Sequence, residues 1–88
     1  MPKVVTANEL RTGVVVYLGC NRQWTVSLAE AEVAADAEAL RRLEAIALAA
    51  VEAREVTAVY AMDVALADGR PEPVSVRERI RAAHAATV

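Results

Sequence analysis

Phenylalanine is absent from this 88-residue chain, and cysteine, histidine, tryptophan and lysine occur once each. Each scarcity removes a class of chemistry. A lone Cys20 and a lone His84 cannot build a dedicated zinc or iron–sulfur centre, which takes three or four such ligands. No intramolecular disulfide can form, and nothing points to an oxidising compartment. The glycines, Gly13, Gly19 and Gly69, are too scattered for a phosphate-cradling loop. No Ser/His/Asp or Cys/His grouping has local support. No apolar run reaches the length of a membrane span, because Glu44 and Glu52 interrupt the most hydrophobic segment. The start, Met1-Pro2-Lys3-Val4-Val5, lacks the basic region and apolar core of a signal peptide. These absences lead us to expect a soluble cytoplasmic protein with neither metal nor cofactor.

Apolar residues make up 56% of the chain, but 20 of them are alanine. The 29 larger ones, 14 of them valine, suffice for one small core and one domain over residues 1–88. Each buried aliphatic side chain contributes about 1.5–3 kcal/mol, enough to hold one sheet against one or two helices. A homodimer that hides further apolar surface is compatible with so small an inventory. The net charge of −2 gives no general attraction to nucleic acid or to an anionic membrane. Its distribution is uneven: residues 28–55 carry seven acids against three arginines, whereas residues 69–88 carry four arginines against two glutamates. An acidic middle lies between two basic ends. Nine arginines to one lysine, with abundant alanine, fit a GC-rich bacterial genome.

Along the chain, Val4–Asn8 and Val14–Leu18 are β-prone and flank a turn in which Gly13 can supply a positive φ, which predicts a hairpin. Gly19–Arg22 is a second turn, and Gln23–Val26 can add a short third strand. Ser27 and Glu30 have the spacing of a capping box, predicting a short helix over 28–34. Asp36 reads as the cap of a longer helix, with Leu40, Leu43, Ile46, Ala47, Ala50 and Val51 on one face and only Leu48 out of place. The pattern leaves open whether residues 28–54 form one helix or two. Val59–Ala67 alternates, and its large residues, Tyr60, Met62, Val64 and Leu66, are expected to face the helix. Asp68-Gly69-Arg70 is a turn, and Pro71 and Pro73 confine any strand near Val74 to an edge. Ser75 and Glu78 form a second capping box that starts a last helix. The expected fold is α+β, a small antiparallel sheet of three to four strands with the helices on one face, in the order ββ(β)αβ(β)α.

The last helix holds the candidate binding residues. Val76, Ile80 and Ala83 form its apolar side, Arg77, Arg81 and His84 share one flank, and Arg79 projects from the other. Guanidinium groups make bidentate bonds to carboxylates and phosphates, so this flank can bind an acidic protein surface or an anion. It can equally be a solvated face whose arginines pair with the chain's own acidic middle. Trp24 reads as a cover over one edge of the core, an interface anchor being the alternative. Tyr17 and Tyr60 read as core residues, Cys20 as a turn residue without redox role, and Asp63 as a solvated residue on the open face of the sheet.

The segments Lys3-Val4-Val5-Thr6-Ala7-Asn8, Leu10, Gly13 and Val15-Val16-Tyr17-Leu18, with Val74-Ser75, Arg77-Glu78 and Ile80-Arg81-Ala82, resemble a small uncharacterised bacterial family. Trp24 and the Ser27-Leu28 step fit the same pattern, which spans the whole length. The chain departs from it at His84-Ala85-Ala86, where a Gly-Pro pair is expected. Members are typically encoded beside assimilatory sulfite reductase, so the resemblance implies an accessory role in sulfate assimilation and cysteine biosynthesis. It carries over no catalytic residue. The expected function is therefore a non-enzymatic accessory protein contacting sulfite reductase or another component of that pathway, with Arg77, Arg79, Arg81 and His84 as contact residues. A small anion or sulfur-metabolite binding domain is the alternative. An enzyme built on Asp63 or His84 lacks the convergent groups catalysis needs. The acidic pI of about 5.3 argues against nucleic-acid binding.

Overall fold

The computed structural model describes residues 2–67 and 69–74. Five strands form one antiparallel sheet: β1 (Lys3–Glu9), β2 (Val15–Leu18), β3 (Trp24–Thr25), β4 (Val56–Ala67) and β5 (Arg70–Pro73), in the order β3-β2-β1-β4-β5. The one α-helix among the described residues, α1 (Ala37–Glu52), lies between β3 and β4. The hairpin is as the sequence predicts, with Gly13 at φ 75° in its turn. Both optional strands form, which raises the count from the expected three or four to five. The predicted last helix lies outside the described residues.

β1 is the centre of the molecule. Val4, Val5, Thr6 and Ala7 are all buried, so both faces of the strand are covered. On one face Val5, Leu18 and Ala34 pack with Leu43 and Ala47 of α1. Ala7, Val16 and Val56 pack there with Ala50. On the other face Val4, Tyr17, Ala31, Met62 and Val64 form a separate cluster, to which Leu28 and Val33 add their side chains. The sheet curls around this second cluster, bringing β5 against the 3-10 turn Leu28–Glu30.

This arrangement reverses the expected facing of β4. Met62 and Val64 fill the curl, on the face away from α1, while Tyr60 and Leu66 are 37% and 56% exposed. Val59 packs against the clusters beneath the helix. Small residues suit the helix side: Ala47, Ala50 and Ala7 let the backbones approach closely, and the bulky side chains go where the sheet curls. Tyr17 is fully buried as expected, but Tyr60 is not a core residue.

A β-bulge adds a second departure from simple alternation. The register steps from Thr6 opposite Tyr60 to Asn8 opposite Thr57, so two residues of β4 face one of β1. Ala58 sits in the left-handed region at φ 56°. The extra residue puts both Val56 and Val59 on the helix side, which strict period-two geometry forbids.

Residues 28–54 contain one α-helix, α1, and the short helix expected over 28–34 is absent. Asp36 caps α1 as predicted, accepting a 2.8 Å hydrogen bond from the Ala39 backbone N–H. The capping box at Ser27 does not form. The Ser27 side chain caps nothing, the Thr25 hydroxyl accepts the Ser27 N–H, and Glu30 accepts from that same hydroxyl at 3.0 Å. A single 3-10 turn results, and the chain then runs extended, bridging Ala31 to Gly19 and Ala34 to Lys3.

Candidate functional site

Arg77, Arg79, Arg81 and His84 lie outside the described residues. The other singled-out side chains are placed. Cys20 is exposed in its turn. Asp63 is solvated as expected, its side chain 41% exposed, and it lies opposite Lys3 in the β1–β4 register and forms an ion pair with it. The hydrogen bond from the Lys3 ammonium holds the Asp63 carboxyl below its ordinary value, with desolvation opposing it. The partnership gives Asp63 a structural task.

Trp24 is where the fold builds a concave surface. The residue is half-buried on edge strand β3, and its side chain packs on both clusters beneath the helix. The core-edge reading of Trp24 therefore holds. Its exposed parts wall two adjacent clefts. The first, of about 350 Å³, lies between the β1–β2 turn and the α1–β4 connection. Val16 and Val56 line it beside Trp24, together with Glu9, Arg11, Arg54 and Glu55. The second, of about 220 Å³, is lined by Arg22, Trp24, Ile46, Ala49, Ala50 and Glu55.

Local chain geometry sets these side chains in place. α1 ends in a Schellman motif, the Glu55 N–H bonding the Ala50 carbonyl at 2.9 Å and the Arg54 N–H bonding the Val51 carbonyl at 3.0 Å. The left-handed position of that motif ordinarily takes glycine, yet here it holds Arg54 at φ 60°. Arg22 also stands at φ 60°. Left-handed non-glycine residues carry a backbone cost, and two of the four in the described chain border the same Trp24 surface. The Leu10 N–H bonds the Glu55 carbonyl at 3.0 Å, tying the hairpin turn to the helix end.

The charges around the first cleft balance in sign but do not pair with one another. Thr12 donates to the Glu9 carboxylate at 3.0 Å, which orients it without neutralising it. None of Glu9, Arg11, Arg54 and Glu55 makes an ion pair among the described residues. Two opposite pairs thus border an apolar floor with their charges uncompensated by one another. Among the described residues no three His, Cys, Asp or Glu side chains come together as a metal site would require. No described helix is long and apolar enough to cross a membrane.

Pattern reading misses this cleft because its residues come from three distant segments. Two signals point toward it. One is the single Trp beside turn residues; the other is the absence of a glycine after Glu52-Ala53, where a helix must end.

A family described as "Protein of unknown function (DUF2849)" matches residues 3–87. No curated protein matches the chain. No solved structure matches it either.

Proposed function

The chain belongs to that DUF2849 family, and from this premise we propose a non-enzymatic accessory protein that acts in the cytoplasm by contact. Its partner is a component of sulfate assimilation, sulfite reductase first, as the genomic setting implied by the sequence resemblance indicates. One observation carries the reading: Trp24 is half-buried between two clefts bordered by Arg11, Arg22 and Arg54, none of which makes an ion pair among the described residues. Trp and Arg are the residue types that most often dominate binding energy at interfaces. Arg77, Arg79, Arg81 and His84 remain the contact residues proposed from sequence.

Calorimetric titration of purified sulfite reductase with the purified chain tests the proposal. Saturable binding is expected, weakened about 30-fold or more by Trp24→Ala, the effect of losing one interfacial hot spot. Charge reversal at Arg77 and Arg81 is expected to weaken it further at low salt than at high salt. No binding, together with unchanged growth on sulfate after gene deletion, overturns it.

A second reading, a small anion or sulfur-metabolite binding domain, is favoured by the size of the first cleft. At about 350 Å³ it matches one small molecule better than a broad protein surface. A ligand that binds only the folded chain raises its melting temperature, so thermal-shift measurements with sulfite and with sulfated nucleotides test this alternative.

A further inference from the structure

We infer that the cleft between the β1–β2 turn and the α1–β4 connection is a receptor site for a small zwitterion, an α-amino acid with an apolar side chain. The inference rests on the reading of this cleft as a small-ligand site and replaces the simple anion with a zwitterion. The floor is apolar, made by Val16 and Val56, which are 4% and 3% exposed, with Trp24 as one wall. The half-buried Trp24 supplies the apolar surface that an aliphatic side chain would cover, with the two valines closing the floor behind it.

The lining selects for charge of both signs. A simple anion entering the cleft meets Arg11 and Arg54 but also the carboxylates of Glu9 and Glu55. A simple cation meets the reverse conflict. A molecule bearing an ammonium and a carboxylate on one carbon offers each sign to its complement, and no desolvated charge is left without a partner. Arg54 and Glu55 are consecutive, so the base and the acid are presented from one rigid turn. The C-terminal end of α1, the negative end of its dipole, terminates at this turn and favours the ammonium. Among the described residues the four side chains make no ion pair, and Glu9 alone of them has a side-chain hydrogen bond, from Thr12.

Trp24 is the chain's only tryptophan, so its emission reports on the cleft directly. Titration with L-leucine is expected to give a saturable change in Trp24 emission. N-acetyl-L-leucine lacks the ammonium and L-leucinamide lacks the carboxylate. Each is expected to bind roughly tenfold more weakly or worse, the usual loss when a charged hydrogen-bonding group is removed. Arg54→Gly and Glu55→Gln are expected to weaken L-leucine by a similar factor. Arg54→Gly is a safe variant because glycine takes the left-handed φ without strain, so lost binding is not lost folding. An equal response to N-acetyl-L-leucine and L-leucine overturns the inference and leaves a plain anion site. No response to L-leucine overturns it outright, whereas the partner reading stands or falls on its own titration.

Discussion

The two ends of α1 are built by opposite rules. At its start, Asp36 caps the helix through the Ala39 N–H, Ala34 bridges to Lys3, and Lys3 pairs with Asp63 across β1 and β4. Every charge named there has a protein partner. At its finish, Arg54 occupies a left-handed position that glycine fills at lower cost, and Glu9, Arg11, Arg54 and Glu55 surround Trp24 without an ion pair among the described residues. Both ends sit on the same sheet and the same helix. The start is therefore arranged for stability, while the finish gives up local stability and, among the described residues, leaves its charges without ion pairs. Such a trade is the usual mark of a working surface.

The largest expected effect tests whether the two ends share one core. Leu43 is 1% exposed midway along α1. Leu43→Ala is expected to cost about 2–5 kcal/mol in chemical denaturation and to lower the stability of both ends together. Gly19→Ala follows. A Cβ there meets the Gln23 and Glu30 carbonyl oxygens at 3.2 and 3.3 Å, so a loss of about 1–3 kcal/mol is expected unless both segments give way.

The two helix caps then separate the ends directly. Asp36→Ala is expected to destabilise by about 1 kcal/mol, the cost of an N-cap. Arg54→Gly is expected to do the reverse and stabilise by up to about 1 kcal/mol by removing a left-handed non-glycine residue. A destabilised Arg54→Gly protein breaks the contrast, because it means the guanidinium holds the helix end together.

The smallest effect is one of pH. The folded Asp63 carboxyl titrates below its ordinary value of 3.8 because the Lys3 hydrogen bond favours the carboxylate. Its contribution to stability is thus fully present above the unfolded value and is lost as pH falls through the lowered folded value. Asp63→Asn is expected to flatten the acid limb of a stability-against-pH curve by lowering the neutral region slightly and leaving the most acid region unchanged; the loss is small because the pair is partly exposed and screened.

Much of this contrast is hidden in the sequence, for identifiable reasons. The hairpin, the Asp36 cap and the apolar face of the helix that follows it are legible because each rests on local rules: β-branched runs, a side-chain acceptor beside free N–H groups, apolar spacing at 3.6 residues. The facing of β4 is not. Alternation shows that Met62 and Val64 share a face, but only the curl of the sheet shows that this face turns away from α1. The bulge at Ala58 has no glycine to announce it. Ser27 and Glu30 have capping-box spacing, yet the Thr25 hydroxyl takes both the Ser27 N–H and the Glu30 carboxylate first. The cleft is least legible of all, since tertiary folding alone brings Glu9, Trp24 and Arg54 together.

One measurement tests the contrast most directly: Trp24 emission during L-leucine titration of Asp63→Asn and Glu55→Gln side by side. Each variant removes one negative charge, the first from the paired start and the second from the open finish. Asp63→Asn is expected to titrate like the unaltered chain, and Glu55→Gln to lose about tenfold in affinity. Equal affinity in the two variants would contradict the claim that the unpaired charges around Trp24 are the ones that bind.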